Sequence, residues 1–191
     1  MVQLTRIYTR GGDKGKTSLG SGTRVLKNDS RIQAIGDLDE LNSTLGLCRL
    51  FATDEHLSLF EHIQNDLFDV GADLCLEDLA LKDCLRLQAA QVTWVEKTID
   101  HFNKDLAPLT SFVLPGGSAL SSALHMTRAI ARRAERSIVT LQQEADINPQ
   151  VLIYINRLSD LFFVLARFFN EAGTKDILWK PGAFRDNPSA R

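Results

Sequence analysis

Between residues 149 and 171, apolar side chains surround nearly the whole circumference of a helix. Leu152, Ile153, Ile155, Leu158, Leu161, Phe162, Phe163, Val164, Leu165, Phe168 and Phe169 leave no broad solvent face. A helix apolar all round is normally buried in a core or a subunit interface. One narrow stripe breaks the pattern: Asn156, Asp160 and Arg167, with Ser159 beside them. Buried polar groups need partners, so the stripe serves either a hydrogen-bond network between helices or a ligand. The residues by themselves leave both open. The most apolar run, Leu161 to Ala166, is stopped by Arg167 and is far too short to cross a bilayer.

Helical periodicity extends over most of the chain. From Ser30 onward the spacing predicts helices over 30–52, 54–77, 86–106, 118–145 and 149–171. Pro108, Pro115-Gly116-Gly117 and Pro149 punctuate the later joins. Ser118 is the expected N-cap of the fourth helix, and Asn148, with Pro149 at the first helical position, that of the fifth. Five helices with mostly short connections predict an α-helical bundle. At 191 residues the chain fits one domain. The tail from Glu171 to Arg191 loses periodicity and is expected to be partly mobile, although Trp179 and Phe184 point to docking.

Residues 9–25 are different. They hold five of the twelve glycines and no sustained periodicity, as in an ordered glycine-rich loop, here after a short extended piece from Leu4 to Tyr8. Gly15-Lys16-Thr17 resembles the end of a phosphate-binding P-loop, but the first glycine of that motif would fall at Arg10, and Gly20 and Gly22 follow where a helix should begin. The P-loop is therefore rejected. Its physics survives: glycines let backbone N–H groups approach phosphate oxygens, and Arg10, Lys14, Lys16, Thr17, Ser18 and Lys27 add donors. A solvated basic loop is the alternative.

On the fourth helix, Arg128, Arg132 and Glu135 border an apolar stripe of Leu120, Ala123, Leu124, Ala131, Ala134, Ile138 and Leu141, with Arg136 just beyond and Arg133 pointing away. This is either a solvated basic face or an anion site, since a semi-buried arginine requires an anionic partner. The first helix buries Ala34, Leu38, Leu41, Leu45 and Cys48. Its opposite face carries Gly36, Asp39, Ser43 and Gly46. Each glycine inside a helix costs ~1 kcal/mol relative to alanine, which close approach of a backbone or a flat ligand would explain. Asp39 there is a natural partner for an arginine.

Other chemistries find little support. The net charge of −2 gives no general attraction to nucleic acid. His56, His62, His101 and His125 lack ligand spacing, and Asp66, Asp69 and Asp73 on one helix read as a hydrated face, so no metal site is expected. Three scattered cysteines, Cys48, Cys75 and Cys84, and an N-terminus without an apolar signal point to the cytoplasm. A non-catalytic helical module that uses the arginines on an acidic partner or RNA, or a purely structural bundle, would leave the polar stripe or the glycine-rich loop unexplained.

The stretches IYTRGGDKGKTSLGSGTRVLKND, RIQAIGDLDELNSTLG, FVLPGGSALSSALHMTRAIARRAERSIV and NRLSDLFFVLAR occur in this order from Ile7 to Arg167. Together they resemble the trimeric, propanediol-utilisation (PduO) type of ATP:cob(I)alamin adenosyltransferase. One departure is Gly11, where that family more often has a larger polar residue. The resemblance implies an all-α five-helix bundle with an N-terminal glycine-rich loop, assembled as a homotrimer with ATP between subunits. It divides the chain into a nucleotide-binding loop (1–29), a helical bundle (30–171) and a tail (172–191). It also implies that Thr9, Arg10, Gly11, Gly12, Thr17, Ser18 and Lys27 of one subunit wrap the nucleotide. Arg132, Arg133, Glu135, Arg136 and Asn156 of its neighbour would complete the site. Asp39 and Arg128 would pair across the interface near the corrinoid, and Phe112 would displace the corrin's lower axial ligand. In that family the cobalt of cob(I)alamin attacks the 5′ carbon of ATP and expels triphosphate, with Mg²⁺ accompanying the nucleotide. This chemistry needs no general base. A cob(II)alamin reductase or a cobalamin-dependent acceptor enzyme would be the partner; neither nucleic acid nor membrane is involved.

Overall fold

Short polar residues start three of the five helices. In the computed structural model, which describes residues 7–81, 83–183 and 185, the Asp29 carboxylate accepts from the Arg31 N–H, Ser118 Oγ from Ser121 N–H and Asn148 Oδ1 from Gln150 N–H. These caps open α1 (Ser30–Arg49), α4 (Ala119–Glu144) and α5 (Pro149–Phe168). Between them lie α2 (Asp54–Leu74) and α3 (Ala89–Asn103). The expected bundle is present, with Ser118, Asn148 and Pro149 in the expected cap positions. Inside the glycine-rich region is a small antiparallel hairpin, β1 (Lys16–Ser18) with β2 (Arg24–Leu26), Thr17 lying opposite Val25. The extended piece expected at Leu4–Tyr8 is not a strand at Ile7 and Tyr8, and its first three residues lie outside the described ones.

α4 packs on both α1 and α5; α2 covers α1, and α3 covers α5. Ala34, Leu38, Leu41, Leu45 and Cys48 of α1 are all buried against this centre, as are Ala131, Ala134, Ile138 and Leu141 of α4. α1 and α4 run antiparallel. Ser30 Oγ donates to Glu144, Ser137 Oγ donates to Asp37, and Cys48 Sγ lies 3.3 Å from Thr127 Oγ1. Burial pushes the Cys48 thiol pKa up, so it packs as a neutral group.

The helices stop short of the apolar periodicity for local reasons. α2 ends at Leu74 because its last carbonyls are taken by other elements: Arg31 Nη1 donates to Leu74 O (2.5 Å) and Gly20 N–H to Cys75 O (3.0 Å). α3 begins at Ala89, not near 86, because the Leu87 N–H is claimed by Asp73 Oδ2 (2.9 Å) and Gln88 forms a reciprocal capping box with Gln91. After α5, Glu171 and Ala172 adopt left-handed conformations (φ 54° and 50°) that turn the chain back.

The aspartates of α2 are not a hydrated face. Asp66 and Asp73 are only 5% and 2% exposed. Asp66 accepts from Tyr154 Oη (2.8 Å) and Gln91 Nε2 (2.7 Å), tying α2 to α5 and α3. Burial, followed by the Asp66 charge, drives the Tyr154 pKa well above its ordinary value. Asp73 pairs with Arg86 (2.6 Å) and accepts from the Leu87 N–H and from Asn148 Nδ2 (2.7 Å). One carboxylate therefore fixes the entry to α3 and the cap of α5. The sequence pattern missed this because a charged residue every third or fourth position looks the same facing water or facing three donors.

Asp73→Ala leaves Arg86, the Leu87 N–H and Asn148 without their acceptor. We expect a loss of ~3–5 kcal/mol, as for breaking other buried charge pairs. Urea unfolding measures it; a loss under ~1 kcal/mol would contradict the assignment.

Candidate functional site

The glycine-rich region is built as a rigid cradle. Gly15 (φ +74°) makes the turn into β1 and its carbonyl accepts from the Lys27 N–H at 2.9 Å. A Cβ on Gly12 would lie 3.0 Å from Lys27 Nζ, so a side chain there would crowd the lysine. Arg24 holds the walls together, its Nη2 donating to Gly11 O (2.5 Å) and Lys16 O (3.2 Å), and its Nη1 to Ser18 Oγ (3.2 Å). Gly20 N–H and buried Leu19 fasten the hairpin to the end of α2, and Ser21 Oγ donates to Glu77 (2.7 Å). Thr9, Arg10, Gly11, Ser18 and Lys27 are exposed around this cradle, with Gly12 and Thr17 half-buried. Among the described residues, Lys14, Lys16 and Lys27 have no carboxylate partner. Arg24 is the residue that sequence reasoning missed. Ser21-Gly22 between two short runs was the available hairpin signal.

The arginines of α4 divide by direction. Arg132 and Arg136 are exposed, and Arg136 Nη1 donates to the Arg132 carbonyl. Glu135 accepts from Asn156 Nδ2 at 2.8 Å, so these two candidates do meet, across the α4–α5 seam. Arg133 turns the other way and bridges to Asp37 (3.6 Å) and Glu40 of α1. Its guanidinium is engaged with α1 and separate from the Arg132 face.

Arg128 is half-buried, and its Nε is enclosed without a hydrogen-bond partner. Burial, then the neighbouring Arg132, lowers its pKa. An arginine nevertheless stays charged. One turn earlier, His125 is buried with Nδ1 unpartnered, and burial, then Arg128, lowers its pKa and keeps the ring neutral. Asp39 sits on the exposed side of α1 beside exposed Gly36 and Ser43, and nothing among the described residues lies within 4 Å of a Cβ placed on Gly36. Among the described residues neither Asp39 nor Arg128 makes an ion pair.

Phe112 is 76% exposed and takes no part in the core of the chain. It lines a cleft of about 640 Å³ with Leu109, Ser111, Arg128, Phe163 and Trp179. Trp179 comes from the tail, whose first part is anchored, in line with the docking that this tryptophan pointed to. Arg167 and Asp176 form a buried ion pair (2.8 Å), Asn170 Nδ2 donates to Asp176 (2.9 Å), and Arg167 also donates to Ala107 O. The polar stripe of α5 thus has split fates. Asn156 faces the α4 arginine region, Ser159 bonds its own helix, Asp160 is exposed, and Arg167 clamps the tail. Trp179 docks beside Phe112; Phe184 lies outside the described residues.

Among the described residues no hydrogen bond or ion pair joins the glycine-rich loop to Arg128 or Arg132. The glycine-rich loop runs directly into Ser30, which is held against Glu144 at the C-terminal end of α4. At 1.5 Å per residue, Arg132 lies about 18 Å back along α4 from that point and Arg128 about 24 Å.

The family described as cobalamin adenosyltransferase matches residues 7–169. The chain is 45% identical over 182 residues to a cobalamin adenosyltransferase of Cupriavidus metallidurans, covering 93% of this chain and 96% of that one. It is 42% identical over 193 residues to a corrinoid adenosyltransferase of Mycobacterium leprae, with 95% and 98% covered. Its fold is similar, at a TM-score of 0.87 and 40% identity, to a variant PduO-type ATP:corrinoid adenosyltransferase from Lactobacillus reuteri complexed with cobalamin and ATP, with 92% of this chain and 97% of that chain covered.

Arg24→Ala removes three hydrogen bonds from the cradle and none from the bundle. Endoproteinase Lys-C is expected to cut at Lys14 and Lys16 at least severalfold faster, with the melting temperature nearly unchanged. Equal cutting rates would show that the loop is ordered without Arg24.

Proposed function

The chain belongs to the cobalamin adenosyltransferase family, and we propose that its glycine-rich cradle and the Arg132 face of a second copy together bind ATP for adenosyl transfer. The protein is an ATP:corrinoid adenosyltransferase: it transfers the 5′-deoxyadenosyl group of ATP to the cobalt of a corrinoid. The observation that supports a shared site is the separation just described, about 18 Å of helix between the loop's end of the bundle and Arg132. Two copies arranged head to tail bring each loop to a neighbour's arginines, and a ring closes such contacts. A homotrimer, as in the PduO type, is the assembly proposed. Asp39 and Arg128, neither in an ion pair among the described residues, become partners across that contact, which gives the enclosed Arg128 its anion.

In this reading Thr9 to Gly12, Thr17, Ser18 and Lys27 hold the nucleotide from one side. Arg132, Arg136, Glu135 and Asn156 hold it from the other, and Arg133 contributes through the α1–α4 packing. The reaction forms a cobalt–carbon bond with the electron pair of Co(I) and breaks the bond between C5′ and oxygen, whose electrons leave with triphosphate. No proton is abstracted, so the enzyme's work is alignment and stabilisation of the growing negative charge. Arg132 and Lys27 are the donors for that charge. Mg²⁺ arrives on the ATP. It would neutralise part of the charge on the triphosphate.

Phe112, exposed in the cleft beside Arg128, occupies the lower face of the corrin. Displacing the lower axial ligand leaves four-coordinate cobalt, which is more easily reduced to Co(I). All of 1–191 serves one catalytic domain, made of the loop 1–29, the bundle 30–171 and the tail 172–191. Among the described residues no helix is long and apolar enough to cross a membrane. The scattered cysteines, with no C-x-x-C pair, fit a reducing compartment; the cytoplasm is the proposed location, with a cob(II)alamin reductase or a cobalamin-dependent acceptor enzyme as the proposed partner.

Anaerobic incubation with ATP and cob(I)alamin is expected to give a light-sensitive cobalt–carbon product and one triphosphate per turnover. Release of ADP and phosphate without adenosylation would support a nucleotide hydrolase. Arg132→Ala should cost ~10²–10³ in rate while the protein still folds and assembles. Mixing Lys27→Ala with Arg132→Ala subunits tests the shared site directly. Random assembly restores intact sites at up to about a quarter of the total, whereas a site within one chain restores none.

A further inference from the structure

Phe112 presents a problem of control. A phenylalanine 76% exposed on a loop has its full rotamer freedom, yet displacing an axial ligand requires the ring at one place. The structure around the loop supplies the constraint. Residues 112–114 pair antiparallel with 177–179: the Leu114 N–H donates to Ile177 O (2.8 Å), the Trp179 N–H to Phe112 O (2.7 Å), and Val113 bridges Leu178. Ser111 Oγ also donates to Trp179 O (2.8 Å). With Val113 opposite Leu178, Phe112 falls opposite Trp179, and side chains of opposed residues project from the same face. Their ring centroids are 6.0 Å apart at 53°. Both rings line the cleft that contains Arg128.

The register of this pairing has its own anchor. Asp176, next to Ile177, is 4% exposed and held by Arg167 and Asn170. Asn170 Oδ1 in turn accepts from the Ser118 N–H, and Gly117 (φ +102°) leaves no room for a side chain against that amide. A slip of one residue would turn Trp179 to the opposite face, and the buried pair prevents it. Trp179 itself is 46% exposed, so it contributes little to the core.

We infer that Trp179, delivered in fixed register by the Arg167–Asp176 pair, is a positioning residue that holds the Phe112 ring over the corrin's lower face. The inference rests on the proposed role of Phe112 in removing the axial ligand. Trp179 limits the sweep of Phe112 on one side and closes the apolar wall of the cleft. The tail is thereby part of the cobalt-reduction step, although it carries no group that reacts.

The test compares wild type, Trp179→Ala, Trp179→Phe and Phe112→Ala as full-length assembled enzyme. Each is bound to cob(II)alamin and ATP and examined by electron paramagnetic resonance, where axial nitrogen splits the cobalt lines. Each is also assayed from cob(II)alamin with a reductant and from prereduced cob(I)alamin. Trp179→Ala is expected to lower the four-coordinate fraction and the cob(II)alamin rate roughly three- to tenfold, the span an aromatic pair supports, with a smaller effect from cob(I)alamin. Trp179→Phe should recover most of both. Wild-type spectra and rates in Trp179→Ala, alongside a clear defect in Phe112→Ala, would overturn the inference and leave the Phe112 role standing. Equal losses in both assays would reduce Trp179 to a structural residue and overturn it too. An unaltered spectrum in Phe112→Ala would remove the axial-ligand role and this inference with it.

Discussion

The antiparallel contact between α1 and α4 is the constraint on which the rest depends. Both helices bury an apolar stripe in it, and the seam carries polar locks at its beginning, middle and end: Ser30 with Glu144, Asp37 with Ser137 and Arg133, Cys48 with Thr127. Packing of this kind fixes rotation about each helix axis as well as distance. Once α4 is set, Arg132 and Arg136 are aimed outward, Arg133 is drawn back to α1, and Arg128 is left half-enclosed beside the cleft. Four arginines within nine residues acquire different roles from one rotational choice.

The same contact separates the candidate half-sites. It places the chain's glycine-rich loop at the end of α4 that is remote from Arg128 and Arg132. An enzyme that must bring a nucleotide and a flat corrinoid together gains from this separation. In the proposed assembly each ligand would be held by a preformed surface, and the reacting geometry would arise where the surfaces of two copies meet. Among the described residues, Asp39 without an ion pair, the partnerless Nε of Arg128 and the open face at Gly36 support that proposal. The same proposed meeting would account for the mid-helix glycine, which nothing among the described residues approaches.

Buried carboxylates do the organising elsewhere. Asp66, Asp73 and Asp176 each accept from groups on different elements, and each sits where an irregular segment must be held: the start of α3, the cap of α5 and the tail. A carboxylate offers several lone-pair directions at once, so one residue joins three segments. The cost is the desolvation of the charge, offset only when every direction is used.

The sequence by itself determined the elements and their burial. Apolar periodicity placed five helices, Ser118, Asn148 and Pro149 marked two starts, and the all-round apolar character of 149–171 identified the helix with the most buried surface. These are local properties, fixed by spacing and backbone chemistry. The ordered motifs from Ile7 to Arg167 carried the family likeness and with it the activity. Only the tertiary structure decided partners. Periodicity could not separate Asp73, 2% exposed, from a solvated aspartate, nor Arg167, spent on the tail, from Asn156, which faces Glu135. It gave no hint of Arg24, and although Trp179 pointed to docking, nothing in its own stretch of chain identified 112–114 as the segment it pairs with. A polar side chain's role is set by what lies across from it, and across from it is a place that sequence distance does not measure.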